Sequence, residues 1–76
     1  NRIEHFVAGK KLHINFVRPP GQAKNITIYN MMGRAIMMEK LNARQNIISL
    51  EHLERGADIF VMPNKNETHS SKFIIN

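Results

Sequence analysis

The stretch "ITIYNMMGRAIMMEKL", Ile26 to Leu41, decides how this chain folds. Ile26 and Ile28 alternate with Thr27 and Tyr29, the period of two that a half-buried strand requires. Gly33 then sits where a short hairpin needs a left-handed residue, so the segment reads as two strands with Met31 and Met32 at the turn between them. Met37 and Met38 are adjacent and must point to opposite faces of a strand, which rules out a continuous methionine stripe. Ile26, Ile28 and Ile36 are the expected core residues. Methionine fills irregular gaps well, and here it is read as divided among turn, core and surface.

Outward from this hairpin, short apolar runs separated by Gly, Pro and Asn recur about every ten residues, the pattern of an all-β sandwich or barrel. The other candidate strands are Arg2 to Ala8, Lys11 to Val17, Asn46 to Leu50, Asp58 to Pro63 and Ser71 to Ile75. Alternation is clearest in the second of these, where Leu12, Ile14 and Phe16 share one face and His13, Asn15 and Val17 the other. Gly9 makes a tight link, and "RPPGQAK" and "NKNETHS" carry the turn chemistry of longer loops. Pro63 has no N–H to give a ladder, so its strand is expected to finish there or to lie at an edge. Residues 51–57 are too few for a stable helix and predict a single turn, with Leu53 inward and Gly56 in a conformation other residues resist. The prediction is one all-β domain over residues 1–76, an antiparallel sandwich of about seven strands.

A chain of 76 residues has an economical core, burying only about 60% of the surface its unfolded form exposes. It has no cysteine, hence no disulfide or thiolate metal site. Eleven Lys and Arg against six Asp and Glu give a formal charge of +5, but the basic residues are dispersed in sequence, with no run longer than Lys10–Lys11. No aromatic ladder alternates with them, so nucleic acid is not an expected partner. No apolar run approaches the about 20 residues that a membrane-crossing helix needs, and no membrane insertion is expected.

His5, His13, His52 and His69 show neither close pairing nor the acid-linked helical spacing of zinc enzymes, although adjacent strands would be able to bring His5 beside His13. They read as surface imidazoles. Glu51 and Glu54 flank His52 in a turn with nothing evident to shift their pKa values, and Ser49, Ser70 and Ser71 lack a nucleophile elbow. Neither an enzyme nor a cofactor or metal site is expected. Asn25 and Asn66 each open an N-x-T triplet, and only Asn66 is placed in a loop where a glycan fits.

From Ile26 onward the order of elements resembles the type A C-terminal sorting domain of cargo proteins of the Bacteroidetes type IX secretion system. "ITIYNMMGRAIMMEKL" is similar to the family's strand, turn glycine and strand, and "NIISLEHLERGADIFVM" to its I-x-L-x-x-L-x-x-G followed by an apolar strand. "THSSKFIIN" is similar to its closing T/S-x-K-hydrophobic strand. Gly33 matches the hairpin glycine, Leu53 and Gly56 the later turn, and Lys72, Phe73, Ile74 and Ile75 the terminal strand. Asp58 departs from the pattern, since the family usually carries an aromatic two residues after the turn glycine. A shift of register, or a partner for the charge, is then required.

The resemblance implies an immunoglobulin-like β-sandwich that serves as an address label. The domain would be recognised in the periplasm by a shuttle or receptor of the secretion machinery, and its cargo would cross to the cell surface or medium. A surface sortase would then remove it. Gly56, Lys72, Phe73, Ile74 and Ile75 would carry recognition, with Gly33, Leu53 and Gly56 shaping the turns, and an open sheet edge leaves a homodimer available. On this reading "KFIIN" is expected to end the native chain. The alternative is an immunoglobulin-like accessory module that binds sugar or protein at the cell surface, a choice fold cannot make.

Overall fold

The computed structural model describes residues 2–76, and among them it contains seven strands and no helix. In chain order these are β1 (Ile3–Ala8), β2 (Lys11–Phe16), β3 (Lys24–Asn30), β4 (Ala35–Leu41), β5 (Gln45–Ser49), β6 (Gly56–Pro63) and β7 (Thr68–Ile75). They form two antiparallel sheets, β1-β2-β5 and β4-β3-β6-β7. Compared with a seven-strand constant-type immunoglobulin domain, the fourth strand has left the sheet of the first two and paired with the third. The tight β3–β4 hairpin explains the switch, because a strand returning through so short a turn pairs with the one it has just left.

The core lies between the sheets. Leu12, Ile14 and Phe16 of β2 and Ile48 of β5 meet Ile26 and Ile28 of β3, Phe60 and Met62 of β6, and Phe73 and Ile75 of β7. In β2, β3, β6 and β7 these are alternate residues, as the pleat of a strand dictates. Full burial of one such side chain contributes about 1.5–3 kcal/mol, so β2, with three, is the main pillar of its sheet.

At the β3–β4 hairpin the Asn30 side chain accepts hydrogen bonds from the backbone N–H of Met32 and Arg34, each at 3.0 Å, while Gly33 adopts φ +86. Met31 and Met32 are exposed at this turn, Met38 is exposed on β4, Met37 is half-buried and Met62 is buried. A register shift beside Ile28 and Tyr29 leaves Ile36 without a direct partner. This extra residue lets Ile36 and its neighbour Met37 both pack on the core, which strict alternation forbids. The structure also begins β7 at Thr68 rather than Ser71, so the preceding loop is shorter than the sequence suggested. Pro63 ends β6, and the turn before β6 closes with Leu53 N–H donating to the Leu50 carbonyl at 3.0 Å.

Candidate recognition strand

β7 is an edge strand. It pairs with β6 and, among the described residues, with no other strand, so one row of its backbone N–H and C=O groups faces away from the sheet. Its side chains divide by parity. Phe73 and Ile75 point inward and are 5% and 1% exposed, and the Phe73 ring lies 6.3 Å from that of Phe60. Lys72 and Ile74 lie on the outer face opposite Ile59 and Ala57 of β6, with Ile74 48% exposed.

The register sets Gly56 directly opposite Ile75. Gly56 has φ +131, while a Cβ built there would meet nothing within 4 Å, so the glycine is needed for backbone conformation and not for space. It turns the chain from the Leu50–Arg55 loop into β6, and Leu53 packs against the core beneath that loop. Gly56, Phe73, Ile74 and Ile75 are thus gathered at one end of the β6–β7 pair, with Lys72 opposite Ile59 further along it. Gly33 is not part of this group, because its hairpin joins β3 and β4 on the other side of β6.

Asp58 needs no register shift to be accommodated. It follows the alternation of Phe60 and faces inward between Asn30 and Phe73, at 6% exposure and without a hydrogen bond or ion pair from any described residue. Burial, then the nearby Glu54 carboxylate, pushes its pKa above the ordinary value of 3.8. A carboxylate therefore faces inward at the margin of the core, where it lines a cleft with Asn30, Ile36, Glu54 and Arg55. The alternation of Asp58 with Phe60 already carried this inward placement; only the missing partner required the structure.

The family described as "Secretion system C-terminal sorting domain" matches residues 8–76. The chain belongs to this family. It is therefore a C-terminal sorting signal of the type IX secretion system, a route through the periplasm to the cell surface or beyond, and its family is not one of enzymes. No curated protein sequence matches the chain. The match reaches well upstream of the Ile26–Asn76 segment that carried the motif resemblance and takes in all of β2, but of β1 it includes only Ala8.

Of the four histidines of this sorting domain, His52 is an exposed surface imidazole in the Leu50–Arg55 loop, while the other three make contacts. His13 stacks on Phe6 at 4.3 Å and 8° on the outer face of the three-stranded sheet, and His5 meets the Phe60 ring edge-on at 5.1 Å. His5 pairs with Ile14 in register, so it and His13 fall on opposite faces and do not meet. The half-buried His69 places Nε2 3.6 Å from Glu67 Oε1, too long for a hydrogen bond. Among the described residues no three His, Asp or Glu side chains converge in a manner able to hold a metal ion.

Proposed function

We propose that residues 1–76 act as one sorting domain that the secretion machinery reads in the periplasm through β7, and that a surface sortase afterwards separates it from the cargo. The observation that carries this reading is the division of labour on β7. Phe73 and Ile75 anchor the strand in the core, leaving its open backbone edge, Lys72 and Ile74 available to a receptor. A receptor strand added along that edge would gain main-chain hydrogen bonds, while the Lys72 ammonium and the apolar Ile74 supply side-chain selectivity. Gly56, opposite Ile75, keeps the end of the strand in register. Two copies of the domain pairing along the same edge would compete with the receptor, so homodimerisation and recognition are mutually exclusive uses of one surface.

The test is to fuse residues 1–76 behind a periplasmically exported fluorescent protein in a host that has this secretion system. Fluorescence at the surface or in the medium, with the domain cleaved from the released protein, is the expected result. An intact fusion retained in the periplasm would instead favour an accessory module.

A further inference from the structure

Basic residues that are dispersed along the sequence are gathered by the fold at one end of the sandwich. The β2–β3 loop, the β4–β5 loop and the β6–β7 loop lie together there, and they and the adjoining strand ends carry Arg2, Arg18, Lys24, Lys40, Arg44 and Lys65 against only Glu4, Glu39 and Glu67. At the opposite end Glu51, Glu54 and Asp58 offset most of the charge of Lys10, Lys11, Arg34 and Arg55.

Two clefts adjoin at the basic end. One, of about 570 Å³, lies between the β2–β3 and β6–β7 loops and is lined by Gln22, Lys24, Asn25, Asn64 and Lys65 among others. The other, of about 360 Å³, shares Gly21, Lys24 and Asn64 with it and adds Arg18 and two prolines. Both volumes are in the range of ligand pockets, about 300–1,000 Å³. No acid and no aromatic ring lines either cleft. Glu67, the acid of the β6–β7 loop, lies beside His69 instead.

We propose that the larger cleft is a binding site for a phosphate group. Lys24 Nζ is held in place by donating to Asn64 Oδ1 at 3.1 Å, and the Lys65 backbone N–H donates to the same oxygen at 2.9 Å. With its oxygen doubly engaged, Asn64 retains a side-chain NH2 without a partner among the described residues, and the Lys24 ammonium keeps two of its three donors. The Lys65 side chain adds a second ammonium at the exposed rim. A phosphate carries two charges or nearly so and three strong acceptor oxygens, which suits two ammonium groups and an amide. Without an aromatic platform the cleft offers a nucleobase or a neutral sugar ring nothing to stack on, so recognition rests on the phosphate itself.

Amide NMR of the 76-residue chain, titrated with sodium phosphate against sodium chloride at matched ionic strength and fixed pH, tests this site. The expected result is saturable shifts at residues 21–25 and 64–65. Lys65→Gln should weaken binding by about fivefold, the Lys24→Gln/Lys65→Gln pair should remove it, and Lys10→Gln/Lys11→Gln at the far end should leave it unchanged. Sedimentation with phosphatidic acid vesicles, whose headgroup is a phosphate monoester, using phosphatidylcholine as the neutral control, distinguishes the sources of phosphate. Vesicle binding lost in the Lys24/Lys65 pair and displaced by inorganic phosphate identifies a lipid headgroup, whereas phosphate binding without vesicle binding identifies a soluble phosphate. Shifts that chloride reproduces, or an equal loss in the Lys10/Lys11 pair, would overturn the proposal. Tighter binding of a single-stranded oligonucleotide than of the vesicles and of inorganic phosphate would overturn it as well. None of these outcomes depends on whether the domain is read through β7.

Discussion

β1 and β7 are both edge strands, one closing each sheet, and β1 lies across the sandwich from β7, where His5 covers Phe60. They differ in what they give the core. β7 supplies Phe73 and Ile75, both buried, whereas β1 has no fully buried residue; Ile3 and Val7 are half-buried and His5 is exposed. β1 also lies outside the family match except for Ala8, while all of β7 lies within it. An edge strand can therefore be a cover or a structural member. β7 is a structural member that also presents an open edge, so deleting it removes part of the core together with any signal it carries. Loss of secretion after such a deletion cannot separate unfolding from lost recognition. Substitution on one face of the strand can.

The sharpest way to break this contrast is to truncate one residue from each strand. Phe73→Ala should lower unfolding free energy by about 3–5 kcal/mol, a large part of what so small a domain possesses. Urea denaturation measures it, and a loss no greater than that of Val7→Ala on β1 would refute the structural role given to β7. Asp58, facing Phe73, gives an effect of the opposite sign. Its folded-state pKa is raised, so the folded form holds the proton more tightly than the unfolded chain, and stability falls as pH rises from about the ordinary value of 3.8 through the folded-state pKa. Asp58→Asn should flatten that decline and raise the denaturation midpoint at neutral pH; an equal or lower midpoint would mean that the carboxylate has a stabilising partner. Val7→Ala, at a half-buried edge position, should cost about 1 kcal/mol. The smallest effect belongs to Lys72→Gln on the outer face, which should change stability by less than about 0.5 kcal/mol.

Most of the strand order was legible because it rests on local signals. The alternation of Leu12, Ile14 and Phe16, the glycine at position 33 and the proline at 63 each act over a few residues, and the fold obeys them. What the sequence could not display is pairing. The shift beside Ile28 that brings both Ile36 and Met37 onto the core depends on how β4 aligns with β3. Likewise nothing in the strand that holds His13 shows that Phe6 will lie across from it and stack on its ring. The charge distribution escaped for the same reason: Arg18 and Lys24 share one connection, but Arg44 and Lys65 come to the same end of the sandwich only when three loops converge. In β7 the motif named the residues and alternation already separates Phe73 and Ile75, as anchors, from Lys72; the extension of the strand back to Thr68 came from the ladder with β6.

The most direct test of recognition through β7 leaves its anchors intact. In a secreted fusion carrying Lys72→Glu and Ile74→Asp, with Phe73 and Ile75 unchanged, the domain should retain a cooperative denaturation transition close to that of the parent while its cargo accumulates in the periplasm. Normal delivery of that cargo to the surface or medium, from a domain shown to be folded, would contradict recognition through the outer face of β7.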